Sequence, residues 1–353
     1  MKNIFLILLA STVFASCKTS VYNVKNENNS EFKSVVIDTL FQDKISIRAI
    51  LFDVNKVWFA ADKGRFGFFN LDNNQKFESK IIKDSLKLEF RSNAKTKKHI
   101  FILNVGNPAL LYQISKDGKE TKLVYQENHE KVFYDSMQFW NDREGIAIGD
   151  PIADCLNIII TRDGGNSWNK APSAKLPKVI DGEAAFAASN TNIVIKGNNT
   201  WIVSGGKKSR VFYSSDKGNT WTVYDTPIVQ GKSMTGIFTA DFYDAQNGFV
   251  TGGDYEVRNQ NFSNKAITTD GGKTWNLIAE NQGFGYASCV QYVPESNGKG
   301  LVTVGFSGIY YSSDSGNSWK QLSTDSSLNT IRFIDNHTVI AAGQNKMIRI
   351  NFK

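Results

Sequence analysis

Hydrophobic positions along this chain fall in short runs broken by glycine and polar turns, with almost no stretch at helical spacing. Runs of that length bounded by turn signals predict strands, and repeated over the whole chain they predict an all-β protein. One kind of run ends in glycine: GIAIG at 145–149, WIVSG at 201–205, GFVTG at 248–252 and LVTVG at 301–305. Ahead of each lies a more mixed run, at 136–140, 184–188, 237–242 and 287–293, which predicts an inner strand. A third β-rich run follows each, at 156–160, 210–213, 265–268 and 308–311.

Every third run leads into the same eight-residue pattern. It reads TRDGGNSW at 161–168, SSDKGNTW at 214–221, TTDGGKTW at 268–275 and SSDSGNSW at 312–319. All four fit S/T-x-D-x-G-x-S/T-W and recur about every 45 to 55 residues, the period of propellers and solenoids. The chemistry of the pattern is that of a tight turn. An Asp side chain accepts hydrogen bonds from nearby backbone N–H groups, and a Gly two residues on takes positive φ without steric cost. Asp163, Asp216, Asp270 and Asp314 are therefore assigned structural roles. Trp168, Trp221, Trp275 and Trp319 are the apolar bodies expected to pack beneath the turns. Calcium binding would need several oxygen ligands, and each box offers a single carboxylate.

The same grammar without the full box predicts three more units. Residues 57–61 before 65–71, preceded by an inner strand near 45–52, make a first. Residues 99–105 and 110–114, followed by a box at 115–118 that lacks its Trp, make a second. Residues 338–343 before 347–352 make the last, which has no fourth strand of its own. Residues 35–40 are expected to supply it and latch the ring shut, removing open sheet edges. The resulting expectation is a seven-bladed β-propeller of four-stranded antiparallel blades over residues 32–353.

Ahead of the propeller, residues 1–16 carry a basic start (Lys2) and a short apolar run ending in small residues, the layout of a secretory signal. Phe14-Ala15-Ser16-Cys17 resembles a bacterial lipobox, which implies lipidation at Cys17, a membrane anchor and an outer-membrane site facing the periplasm. Residues 17–31 are polar and Asn-rich, as a flexible tether would be. Composition is otherwise that of a globular domain: 41% hydrophobic, 12% aromatic and 21% charged, with formal net charge +7. With Cys17 set aside, Cys155 and Cys289 are expected as buried free thiols, with a disulfide as the alternative if the fold brings them close. His99, His129 and His337 are far apart and join no zinc or haem motif, no dinucleotide fingerprint is present, and no cofactor or metal is expected. The lysines are scattered rather than clustered, which argues against nucleic acid.

The four boxes resemble the Asp-box or bacterial neuraminidase repeats of sialidases, sortilin-type receptors and photosystem II assembly-factor propellers. Residues 238–275, with FYDAQNGFVTGGD and TTDGGKTW, are most similar to the last group. The resemblance covers about residues 45–352. It implies a binding platform that helps build a membrane complex, on a fold that hosts many activities.

Candidate ligand residues lie in the connections after the glycine-ended strands and before the inner strands, on the face opposite the boxes. Arg65, Arg210 and Arg258 offer bidentate forks for carboxylate or phosphate, or are solvated surface charges. Asp150, Asp254 and Glu183 either do acid–base work on a glycosidic bond or satisfy backbone N–H groups at strand ends. The loop at 253–264 interleaves polar, charged and aromatic groups, and 282–286 presents Phe284 and Tyr286 near the channel mouth. These features together favour a lipid-anchored, monomeric binding propeller for an envelope protein or peptide client. A glycan hydrolase of sialidase-like fold is the alternative, as is an oxidoreductase-type propeller with an unrecognised cofactor. Convergence of Glu183, Asp150 and Asp254 would favour the hydrolase.

Overall fold

Among the described residues, 31–353 of a computed structural model, the chain runs as strands joined by turns, with one short 3-10 turn at Ser173–Lys175. The segments expected as signal and tether, with Cys17 between them, lie outside the described residues except for Glu31. The third repeat shows how the runs become structure. Tyr134–Phe139, Gly145–Gly149, Asn157–Thr161 and Asn169–Lys170 pair in that order, antiparallel throughout. The glycine-ended strand is buried on both faces because a sheet packs on each side of it, which is why it reads as a continuous apolar run.

The fold is an all-β propeller with antiparallel blades, but the seven blades expected from the sequence are corrected to six. The strands gather into six hydrogen-bonded sheets, four of four strands and two of six. The reason lies in one strand, Val35–Asp53. Its first half pairs with the C-terminal strand Thr338–Phe352, from Val35 opposite Phe352 to Gln42 opposite Lys346. Its second half pairs with Lys56–Ala61, so the units expected as first and last belong to one six-stranded sheet. The chain-end pairing itself is present, and it is sealed by Phe32, buried and stacked on Phe352 at 4.8 Å between ring centroids.

A second expectation also changes. The inner strand predicted at 184–188 does not form there; Ile193–Lys196 takes that place and pairs with Asn199–Val203. Only Glu183–Ala184 remains as strand, paired with Gly205–Gly206 at the inner edge of the neighbouring sheet. The freed residues 185–191 cross the channel instead. Ala188 O accepts from Arg48 (3.2 Å), Ser189 Oγ donates to Ser288 O (2.6 Å), and Ser189 O accepts from Thr330 Oγ1 (3.2 Å). Asn190, at φ 59°, donates to Asn93 O (2.8 Å) and accepts from the Met137 N–H (2.9 Å). Small side chains and a residue type that tolerates positive φ let this segment plug the channel rather than line it.

Between sheets the core is aromatic. Trp201 stacks on Phe242 at 3.9 Å and Phe101 on Phe139 at 4.9 Å. Trp201, Phe242 and Phe101 are fully buried, and each contributes about 1.5–3 kcal/mol by removal from water. Cys155 and Cys289 are free and buried.

Candidate functional site

Strand register assigns the two ends of the propeller. Thr161 pairs with Gly145, which pairs with Phe139, so the boxes sit at the end where inner strands finish. In the third box the Asp270 carboxylate accepts from Thr268 Oγ1 (2.8 Å), the Lys273 and Thr274 N–H groups (3.0 Å each) and Thr274 Oγ1 (2.7 Å). Thr268 Oγ1 in turn accepts from the Gly272 N–H (2.9 Å). Gly272 needs its φ of 88°, and a Cβ there would meet the Trp201 ring at 3.1 Å. The Trp275 indole N–H closes the turn on Gly272 O at 3.0 Å. Burial opposes ionisation of Asp270, but these donors outweigh it and hold its pKa at about 2.

Asp163, Asp216 and Asp314 carry the same clasp and are likewise held below the usual carboxylate range. Trp221 and Trp319 also donate to their box glycines, whereas the Trp168 indole N–H has no partner. The Ser/Thr, Asp and Gly positions of the pattern thus each have a bond or a conformation that requires them, and the Trp position has one in three of the four boxes.

The other end holds a cavity of about 390 Å3 over the plug. Residues 184–188 form part of its wall, and Phe186, Phe238, Tyr255 and Tyr286 give it an aromatic side. Phe186 and Phe238 stack at 3.9 Å, and Tyr286 meets Phe238 edge-on at 4.7 Å. Arg48, Arg91 and Asp150 face the same space.

The arginines differ in what holds them. Arg91 is paired with Glu89 at 2.7 Å. Arg48 has no carboxylate partner among the described residues; one NH group reaches Ala188 O, and its buried Nε–H has no acceptor. Burial, then the neighbouring Arg91 charge, lowers the Arg48 pKa. The acids of the site are strained in the opposite sense. Asp150 accepts the Ala185 N–H at 2.9 Å, and burial pushes it up to about 6. Asp135 is fully buried; the Ala187 N–H lies near it but meets neither oxygen in hydrogen-bond geometry, and burial together with the Asp150 charge, against the pull of Arg91 and that N–H, raises it well above the carboxylate range.

Of the residues singled out in the sequence, Asp150 and Tyr286 line this cavity. Asp254 lies behind Tyr255 with its carboxylate capping the Glu256 and Val257 N–H groups and reaching Lys232 at 3.3 Å. Arg258 is exposed on the rim and lies over the Phe306 ring at 3.6 Å. Arg210 and Glu183 bond each other, Nε to Oε1 at 3.0 Å, with the Glu183 side chain wholly buried and also accepting from Ser204 Oγ and the Ile180 N–H. Arg65 is enclosed by Asp43 and Glu78. Glu183, Asp150 and Asp254 do not converge: each is bound to a different partner set, and of the three only Asp150 lines the cavity.

Arg48, Arg91 and Asp135 were missed by sequence reasoning. All three sit on inner strands, and the available signal was charge inside runs that otherwise read as buried β: Arg48 in ISIRAILF, Arg91 in LEFRSN and Asp135 in FYDSMQF.

No family model and no curated protein matches the chain by sequence. Solved structures do match in fold. YCF48 bound to a D1 peptide aligns with TM-score 0.64 at 12% identity, covering 91% of this chain and 97% of that one. YCF48 from Cyanidioschyzon merolae aligns with TM-score 0.62 at 13% identity, over 90% and 98% of the two chains. The WD40 β-propeller domain of Doa1 aligns nearly as well, with TM-score 0.61 at 12% identity over 90% and 95%. Likeness to propellers of such different kinds establishes the β-propeller architecture of this chain.

Proposed function

We propose that this chain is a binding propeller that receives a peptide or protein segment at the cavity end, with an acidic group of that segment held by Arg48. The observation that carries the reading is Arg48 itself: a guanidinium on the cavity wall without a carboxylate partner, its Nε–H buried and unanswered. A charge in such a place is costly until an anion completes it, and a guanidinium completes a carboxylate with two parallel bonds. The aromatic wall supplies the apolar contact that accompanies such anchors at interfaces. The exposed Val257 and Phe262, on the loop that carries Tyr255, extend the apolar contact outside the cavity. A D1 peptide bound to YCF48, whose fold this chain shares, supports a peptide as the class of ligand. Anchoring through Cys17 in the cell envelope, with the propeller acting as a monomer on an envelope client, belongs to the same proposal and rests on the N-terminal sequence.

Selection from a random peptide display library against residues 31–353 tests it. Enriched peptides are expected to carry an acidic group beside an aromatic or aliphatic residue. Their affinity is expected to fall about thirtyfold in Arg48→Gln, as for loss of one partner of a desolvated charge pair. Arg65→Gln, remote from the cavity, is the control. Enrichment of peptides that bind Arg48→Gln as well as the parent overturns the reading.

A further inference from the structure

The cavity that holds two arginines also holds an acid of its own, and this has a consequence for how the site lets go. We propose that ionised Asp150, on the wall of the cavity that Arg48 lines, repels an incoming carboxylate, so that the cavity takes up the ligand's acidic group together with a proton. The inference rests on the binding role proposed for Arg48 and adds its regulation.

The charged and titratable groups around the cavity come from several elements. Strand Val35–Asp53 contributes Arg48, strand Phe90–Lys95 contributes Arg91 with Glu89 just ahead of it, and strand Tyr134–Phe139 contributes Asp135. The loops add Tyr255 and Tyr286. Glu183, next to the cavity residue Ala184, is spent on Arg210, and Lys232 is spent on Asp254. Of the charges that remain, Arg48 is without an acid and Arg91 is shared with Glu89. Asp150 has one oxygen on the Ala185 N–H and lies on the wall of the same cavity. Asp135 stands beside it, sealed from solvent, with neither oxygen hydrogen-bonded, and the two charges repel.

Such a pair does not readily ionise twice, and burial disfavours even the first ionisation. Burial places the Asp150 transition at about 6, within reach of ordinary solution conditions. Below it the cavity presents its arginines to an incoming carboxylate with Asp150 neutral. Above it an incoming carboxylate meets Asp150 as a like charge in a poorly solvated space. Binding of an anion and binding of the proton then favour each other, and linkage makes the effect reciprocal.

The probe is N-acetyl-L-phenylalaninate, with its neutral amide as the comparison, titrated calorimetrically into residues 31–353. Carboxylate affinity is expected to fall about tenfold between about pH 5 and about pH 7.5. Repeating the titration near the transition in buffers of different ionisation heat is expected to show net proton uptake, a measurement that needs no variant. Amide affinity is expected to stay level. In Asp150→Asn the carboxylate is expected to bind at the higher pH as it does at the lower. Carboxylate binding that needs Arg48 but shows no pH slope and no proton uptake overturns the repulsion by Asp150 and leaves the Arg48 site standing. A pH slope undiminished in Asp150→Asn assigns the proton elsewhere and overturns it too. Failure of the carboxylate to bind at either pH, or equal binding to Arg48→Gln, overturns the anion site and this inference with it.

Discussion

At the box end of the propeller the Asp270 carboxylate accepts from two hydroxyls and two backbone N–H groups; at the cavity end the Asp135 carboxylate, more deeply buried, has the Ala187 N–H near it and no well-formed bond. The first is held at about pKa 2, while the second is pushed far the other way. Both are Asp residues of the same fold, one on a strand and one in the turn after a strand. The difference lies in which of their neighbours are already engaged. Box carboxylates are spent within eight residues of chain and have nothing left to offer a ligand. Arg48 and Asp150 on the cavity wall, and Asp135 buried beside Asp150, are poorly satisfied where they lie, and such groups at a cavity mark a place where a fold has given up stability for binding.

The largest effect is expected where box-like logic appears at the cavity end. Glu183 is wholly buried and held by Arg210, so Arg210→Ala leaves a buried carboxylate without its cation, at a cost of about 3–5 kcal/mol. Urea unfolding measures the loss. Peptide affinity per folded molecule is expected to be unchanged, since Arg210 does not line the cavity. A mutant of near-parental stability that no longer binds would move Arg210 into the site and break the division between the two groups of charges.

A smaller loss, about 2 kcal/mol, is expected for Asp270→Ala, in the range for removing a capping carboxylate from several donors. Its dependence on pH has a definite sign. The folded pKa of about 2 lies below the ordinary 3.8, so the contribution of Asp270 is present above pH 3.8 and is lost as pH falls toward 2. Parent and variant are therefore expected to converge in stability in acid, as followed by Trp fluorescence across an acid titration. A gap that persists below pH 2 would mean that packing around Trp275, and not the carboxylate clasp, carries the effect.

How much of this was legible in the sequence follows from the range of each interaction. The turn of each box was legible because the bonds that hold its Asp carboxylate join residues at most four apart, and the spacing S/T-x-D-x-G-x-S/T-W is a direct record of those bonds; the bonds that dock the turn, such as Gly271 N–H to Gln246 O and Trp201 to Gly271 O, were not. The all-β class and the strand grammar were legible for a similar reason, since alternating runs and glycine stops are local. Blade number was not. It turned on whether Val35–Asp53 is one strand or two, which depends on pairing with residues some three hundred positions away. The plug was hidden because AAFAAS at 184–189 has a strand's apolarity; its crossing of the channel shows only in tertiary contacts, those of Ala188 with Arg48, Ser189 with Ser288 and Thr330, and Asn190 with Asn93 and Met137. The site was half legible. Asp150 and Tyr286 follow from position after a glycine-ended strand and before an inner strand, whereas Arg48, Arg91 and Asp135 are single charges inside otherwise buried runs, and their meeting is tertiary.

The smallest expected effect runs opposite to that of the box. Asp150 has a folded pKa of about 6, above the ordinary 3.8. Relative to an unfolded chain, it favours the folded state fully below pH 3.8, and that advantage is lost as pH rises through about 6. Asp150→Asn keeps an oxygen for the Ala185 N–H but cannot ionise, so it does not lose that advantage. The variant is expected to match the parent near pH 3.8 and to be more stable by about 1 kcal/mol at pH 7, a gain reduced by the partial exposure of the group. Urea midpoints at the two pH values measure it. A variant less stable than the parent at pH 7 would show that ionised Asp150 is already satisfied in the free protein, by Arg48 or Arg91. In that case the cavity arginines are not waiting for a ligand, and the contrast between the two ends of the propeller disappears.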